Sequence, residues 1–129
     1  MSVRISAIAL VVPDYEAGLA FYVGKLGFRL VEDLDQGRKR WVVVEPSGGG
    51  ARLVLARAEG EAQIDAIGNQ AGGRVFLFLE TDDFARDHAA MQAAGVTFEE
   101  APRHELYGSV AVWRDPFGNR WDLIGPRAG

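Results

Sequence analysis

Two stretches of this 129-residue chain follow the same pattern. In each, an apolar run leads to an acidic residue, then to apolar side chains at helical spacing, and then to a glycine. The acidic residues are Asp14 and Asp83, and the glycines Gly27 and Gly95 follow them by 13 and 12 positions. Aspartate is a preferred helix cap, and glycine is preferred where a helix ends. The chain is therefore predicted to contain two copies of one half-domain.

The segments between and after these stretches predict a βαβββ order for each copy. In the first copy, strands are expected at 5–12, 28–32, 40–45 and 51–56. In the second copy, strands are expected at 75–80, 96–98, 110–113 and 120–124, a loop at 102–108, and a helix capped by Asp82 or Asp83. The prediction is one α+β domain, in which module 1 spans about 3–56, a connector spans 57–73, and module 2 spans about 74–125.

Composition excludes several classes of protein. Apolar residues make up 48% and charged residues 25% of the chain, as in an ordinary globular domain. There is no cysteine, which excludes disulfides, thiolate metal sites and cysteine nucleophiles. No apolar run reaches the length of a membrane span, and the first residues lack the layout of a signal peptide. We therefore expect a cytoplasmic protein that has no membrane partner.

The charge of the chain argues against a nucleic-acid partner. The formal net charge is −4, whereas phosphate binding needs a basic surface. The one basic cluster is Arg38-Lys39-Arg40, and it follows the turn signal at 35–37. We interpret this cluster as a solvated turn.

Several motifs, in this order and spacing, resemble the vicinal oxygen chelate superfamily of glyoxalase, bleomycin-resistance and dioxygenase proteins. They lie at residues 8–14, 21–22, 26–28, 81–84, 115–119 and 121–123. The resemblance implies the glyoxalase/bleomycin-resistance fold, with two βαβββ modules and a curved mixed sheet around a cavity. It also implies a homodimer. Whether the modules of one cavity come from one chain or are swapped between two chains stays open.

The resemblance also implies where a metal would be held in the enzymes of this superfamily. The four ligand positions correspond to Ala7, Val54, Phe76 and Asp122. Only Asp122 has a donor atom, and a divalent metal needs three or four converging donors. We therefore expect no cofactor, and a divalent metal at this place is disfavoured.

Alternation along the strands predicts what would line the cavity instead. If Ala7 faces the cavity, then Phe76, Phe78 and Glu80 face it from the second module, and Asp122 faces it from the last strand. An aromatic wall beside carboxylates would suit an apolar or cationic organic molecule. The competing interpretation is that these aromatic residues simply fill a collapsed core.

A few residues outside this set are further candidates. His104, Glu105 and Tyr107 lie in the predicted loop, where a substrate contact or a general base could be placed. Trp41 and Trp113 lie on predicted strands, where an aromatic residue belongs either to the core or to a pocket wall. Catalytic candidates are thus His104, Glu105 and Asp122, but nothing in the sequence requires catalysis.

The sequence leaves open two hypotheses about a binding or catalytic function, beside a third in which the cavity is filled and the protein is a structural or regulatory dimer. The first is a metal-independent protein that binds a small organic molecule, similar in kind to the drug-sequestering members of the superfamily. The second is a metal-dependent lyase, isomerase or dioxygenase of the glyoxalase type, which would need non-standard ligands.

Overall fold

The computed structural model describes residues 1–126, and it confirms the predicted α+β class. The chain divides into two compact units, the first from Met1 to Ile67 and the second from Gly68 onward. Each unit contains one mixed sheet, of four strands in the first unit and five in the second. No helix among residues 1–126 is long and apolar enough to cross a membrane.

The first unit follows the predicted βαβββ order and adds a short helix at its end. Its sheet has the order β1-β4-β3-β2, in which β1 and β4 are parallel and the other pairs are antiparallel. The elements are β1 (Ala7–Val12), α1 (Tyr15–Leu19) with a π-helical segment (Ala20–Lys25), β2 (Arg29–Asp35), β3 (Arg40–Glu45), β4 (Arg52–Arg57) and α2 (Gly60–Ala66).

The second unit repeats this arrangement with one extra strand. Its sheet has the order β5-β9-β8-β6, and the short strand β7 also pairs with β8. Strands β5 and β9 are parallel, as β1 and β4 are in the first unit. The elements are β5 (Val75–Glu80), α3 (Phe84–Ala93), β6 (Thr97–Phe98), β7 (Arg103–Glu105), β8 (Gly108–Arg114) and β9 (Arg120–Gly125).

The predicted caps and helix-ending glycines are confirmed. The carboxylate of Asp14 accepts a hydrogen bond from the Ala17 amide at 2.7 Å, so it satisfies one of the free donors at the start of α1. Asp83, and not Asp82, caps α3, because its carboxylate accepts from the Arg86 amide at 3.1 Å. Gly27 and Gly95 adopt φ values of +74° and +88°, which a residue with a Cβ atom rarely adopts.

In each unit one helix, α1 or α3, covers a face of the sheet and helps to bury an apolar core. In the first unit α1 approaches closely, since a Cβ atom on Gly18 would lie 3.0 Å from the side chain of Leu55. In the second unit α3 packs on β9, and the rings of Trp113 and Trp121 stack in this core with centroids 4.9 Å apart. The opposite face of each sheet carries several of the predicted site residues, whereas Trp113 lies in the core.

Three predictions about elements were wrong. The first strand begins at Ala7 instead of Ile5, and it is not buried on both faces, because Ala9 is exposed. The predicted loop at 102–108 contains a strand, β7, whose three residues are too few and too polar to give a period-2 pattern. The helix after Asp14 is short, and it passes into a π-helical turn at Ala20.

Candidate functional site

The face of the second sheet that points away from α3 gathers most of the predicted lining residues. On β5 and β9, Phe78 pairs with Asp122 and Glu80 pairs with Ile124, so these side chains share one face. On β8, Val112 pairs with the same Asp122 and therefore also lies on this face. We call this surface the Asp122 face, and its residues are Phe78, Glu80, Val110, Val112, Asp122 and Ile124.

Asp122 lies near the centre of this face, on a strand that has a neighbour on either side. Its Oδ1 atom is buried and accepts no hydrogen bond from any residue between 1 and 126. Burial raises the pKa of the Asp122 carboxyl, and Glu100 raises it further, whereas Arg103 and Arg120 lower it. A desolvated acceptor of this kind is stabilised by any group that donates a hydrogen bond to it or carries a positive charge.

The residues paired with Asp122 on the neighbouring strands are apolar and include one exposed ring. Val110 and Val112 are buried beside it, while Phe78 remains 66% exposed. Glu80 lies further along β5 and is also exposed. An exposed aromatic side chain next to a half-buried carboxylate is an arrangement that can hold an organic molecule by ring contact and one polar contact.

Ion pairs border the Asp122 face. Arg103 on β7 pairs with Glu100 at 3.0 Å and with Glu105 at 3.4 Å. Arg120 on β9 pairs with Glu99 at 2.8 Å. Because the two arginines already have carboxylate partners, neither one neutralises Asp122 by a direct contact.

The corresponding face of the first sheet contains Trp41. Trp41 pairs with Leu34, and Val43 pairs with both Glu32 and Val54, so these residues share the face that points away from α1. The indole N–H of Trp41 donates to the carboxylate of Glu32, and 40% of this tryptophan is exposed. Each unit therefore presents an aromatic ring and a carboxylate on the face opposite its helix.

The side chains at the family's metal positions do not fit a divalent metal. Ala7 and Val54 carry only carbon atoms on the Trp41-bearing face, and Phe76 lies at a register irregularity of β5. Asp122 supplies one carboxylate, which is too few for a catalytic ion. Among residues 1–126 no three histidine, aspartate or glutamate side chains cluster in a way that could hold a metal.

His104 lies apart from the other candidates. It pairs with Ser109, and its Nδ1 atom lies 2.7 Å from the Ser109 hydroxyl, so both point to the face opposite Asp122. Glu105 lies one residue further along and shares the face of Asp122, where it pairs with Arg103. Neighbouring residues of a strand point to opposite faces, so β7 separates His104 from Glu105, although the sequence had placed both in one loop.

The two remaining candidates lie in contrasting places. Tyr107 is 66% exposed in the turn between β7 and β8. Trp113 is fully buried and stacks on Trp121 under α3, so it belongs to the core and we leave it out of the proposed site.

Sequence reasoning missed several residues of these surfaces. Val110 and Val112 on β8 and Glu32 on β2 were not predicted to line a site. Alternation along the strand next to Asp122 could have found the two valines. The partnership of Glu32 with Trp41 depends on the register of β2 and β3, which a single sequence does not give.

Comparison with known proteins agrees with this architecture. The model of the Glyoxalase/Bleomycin resistance protein/Dioxygenase superfamily matches residues 4–123. An uncharacterized protein of Shewanella frigidimarina (strain NCIMB 400) is 55% identical over 127 residues, which cover 96% of this chain and 94% of that protein.

Two crystal structures are similar over nearly their whole length. UcmS2 has a TM-score of 0.82 at 30% identity and covers 96% of this chain and 98% of its own. TnmS3, an antibiotic binding protein from Streptomyces sp. CB03234, has a TM-score of 0.77 at 30% identity, with 97% of each chain covered. The chain therefore belongs to the Glyoxalase/Bleomycin resistance protein/Dioxygenase superfamily.

Proposed function

We propose that this protein binds a small organic molecule on the Asp122 face without a metal ion. The observation that carries the proposal is the buried Oδ1 atom of Asp122, which accepts no hydrogen bond within residues 1–126 and whose residue pairs with apolar Phe78 and Val112. A buried acceptor without a partner costs about 1–3 kcal/mol. A ligand that donates a hydrogen bond or a positive charge would recover part of this cost on binding.

The exposed ring of Phe78 supplies the apolar part of the contact. Phe78 on β5 pairs directly with Asp122 on β9, so one ligand could contact both side chains. An aromatic molecule with a protonated amine or another hydrogen-bond donor matches this pair, since the ring stacks while the donor reaches the carboxylate. The similarity to an antibiotic binding protein supports a small organic molecule as the ligand.

A thermal-shift screen tests the proposal. EDTA-treated protein is mixed with a panel of aromatic antibiotics, both cationic and neutral, that includes metal-free bleomycin. We expect at least one cationic aromatic compound to raise the melting temperature in a saturable way. The apparent affinity obtained from the shift should fall at least about tenfold in Asp122→Asn and in Phe78→Ser, because each substitution removes one contact of order 1.4 kcal/mol.

Two controls make this result specific. Asp82→Asn removes an exposed carboxylate of the same unit that pairs with Arg86 and is not one of the residues of the Asp122 face, and it should bind as the wild type does. Tyr107→Ser removes an aromatic side chain that is as exposed as Phe78 but lies in the β7–β8 turn, and it should also bind as the wild type does. Binding that survives both Asp122→Asn and Phe78→Ser would contradict the proposed site, and a complete absence of saturable binding would contradict the proposed function.

A further inference from the structure

A concave surface lies within the first unit, on the helix side of its sheet. It is a groove of about 310 Å³ between the start of α1, the β2–β3 turn and the end of β4. We call it the Tyr15 groove, and its lining residues are Asp14, Tyr15, Glu16, Asp35, Gly37, Arg38, Lys39, Arg40 and Arg57. Its volume lies at the lower end of the range of small-molecule sites.

Tyr15 forms the floor of this groove and holds two cations against it. Only 8% of Tyr15 is exposed, and the guanidinium carbons of Arg40 and Arg57 lie 5.2 Å and 5.6 Å from its ring centroid. Its hydroxyl oxygen accepts the backbone N–H of Arg40 at 3.2 Å. The hydroxyl proton is therefore left to donate to an acceptor in the groove.

The two arginines differ in how well their charge is neutralised. Arg40 makes ion pairs of 2.6 Å with both Asp33 and Glu16, so its charge is fully matched. Within the described residues 1–126, Arg57 makes one carboxylate contact, of 3.4 Å with Glu59, and donates to the carbonyl of Arg38 at 3.1 Å. A guanidinium that is half-buried and weakly paired is suited to bind an oxyanion, since its planar fork matches two oxygen atoms.

The turn between β2 and β3 adds two more cations beside Arg57. Arg38 and Lys39 both line the groove, and within residues 1–126 neither side chain pairs with a carboxylate. Three carboxylates also line the groove: Asp14 caps α1, Asp35 accepts from the Gly37 amide at 2.8 Å, and Glu16 pairs with Arg40. The four cationic side chains of the lining therefore exceed its carboxylates by one positive charge.

We infer that the Tyr15 groove binds a small molecule through a phosphate group, which Arg57, Lys39 and the Tyr15 hydroxyl contact. A phosphate offers acceptor oxygens to the guanidinium fork, the ammonium group and the hydroxyl at once. The volume of the groove exceeds that of one phosphate, which leaves space for an organic part. This site lies on the opposite side of the sheet from Trp41 and does not depend on the Asp122 face, which belongs to the other unit.

A titration with inorganic pyrophosphate, followed by amide NMR at low ionic strength, tests this inference. We expect saturable shifts at the amides of 14–16, 37–40 and 57, and weaker binding as salt is added. Arg57→Gln should weaken binding roughly tenfold and Lys39→Gln roughly threefold, as expected for the loss of charge-assisted contacts. Lys25→Gln and Arg4→Gln remove exposed cations away from the groove, and both should bind as the wild type does.

Several outcomes would overturn the inference. These are the absence of saturable binding, shifts confined to other amides, or affinities of Arg57→Gln and Lys39→Gln equal to that of the wild type. Lys39 is exposed in a turn, so its variant tests the inference even if Arg57→Gln disturbs the packing over Tyr15.

Discussion

At the scale of single residues, Asp122 is predicted to lower the stability of the fold at neutral pH. Burial raises the pKa of this carboxyl above its usual 3.8, so the folded state favours the protonated form more than the unfolded state does. A raised carboxyl pKa contributes stability below pH 3.8 that is lost as pH rises through the folded pKa. We therefore expect Asp122→Asn, which cannot ionise, to be more stable than the wild type at pH 7 by on the order of 1 kcal/mol.

Urea unfolding of the two proteins near pH 4 and at pH 7 measures this difference. The advantage of Asp122→Asn should be larger at pH 7 than near pH 4, where more of the wild-type carboxyl is protonated. Asp82→Asn is the control, because its exposed side chain should give little change at either pH. A variant less stable than the wild type at pH 7 would show that the carboxylate supports the fold.

His88 is expected to make stability depend on pH with the opposite sign. Its ring lies between Phe84 and Phe98, with centroid distances of 5.5 Å and 4.4 Å, and burial lowers its pKa below the usual 6.5. A depressed histidine pKa contributes stability above pH 6.5 that is lost as pH falls through the folded pKa. The wild type should therefore lose stability between about pH 7.5 and 5.5.

Comparison with His88→Leu isolates this contribution. The free energy of unfolding of His88→Leu should change less over that pH range, because the variant has no imidazole to protonate at this place. Equal slopes for the wild type and His88→Leu would refute the prediction.

At the scale of elements, the cap of α3 provides a matched pair of aspartates. Asp83 accepts the Arg86 amide, whereas the adjacent Asp82 makes only an exposed ion pair with the side chain of Arg86. Asp83→Ala should lower the free energy of unfolding by about 1 kcal/mol, while Asp82→Ala should change it by less than about 0.5 kcal/mol. Equal losses in denaturant unfolding would mean that the cap is not the source of the difference.

Two glycines with the same backbone conformation separate strain from steric contact. Gly68 and Gly72 have φ values of +69° and +67°, but only at Gly68 would a Cβ atom meet another backbone, 2.0 Å from the Phe117 oxygen. Gly72→Ala should cost about 1 kcal/mol for the left-handed conformation alone. Gly68→Ala should lower the free energy of unfolding by at least about 3 kcal/mol in thermal or urea unfolding, because the backbone at Gly68 or Phe117 must move. Similar losses in the two variants would refute the predicted contact.

The elements that the sequence predicted well are those with strong local signals. Local backbone preferences predict aspartate caps, left-handed glycines and β-branched strands such as 40–45. Strand β7 has no such signal, since Arg103, His104 and Glu105 acquire their conformation by pairing with β8. The π-helical segment buries Phe21 and Tyr22, and the helical spacing of apolar residues does not distinguish it from an α-helix.

At the scale of the whole molecule, the sequence predicted the composition of the site better than its arrangement. Period-2 alternation correctly places Phe78, Glu80 and Asp122 on one face, because β5 and β9 are regular in this region. Alternation could not reveal that an oxygen of Asp122 is unsatisfied, nor that Trp41 donates to Glu32. Both facts depend on which strands are neighbours, and this is set by long-range packing.

Three expectations about the molecule stay predictions. They are the homodimer, the cytoplasmic location and the cavity enclosed by both modules. Sedimentation velocity tests the first directly, and a species with twice the mass of the chain would be the expected result.

Calorimetric titration of the strongest thermal-shift ligand into EDTA-treated protein tests the central claim most directly. The claim is that Asp122 and Phe78 bind an organic molecule without a metal ion. We predict about one ligand per chain, an affinity unchanged by added Ni²⁺, Zn²⁺, Mn²⁺ or Fe²⁺, and at least about tenfold weaker binding by Asp122→Asn. Binding that appears only after one metal ion is bound per chain would contradict the account.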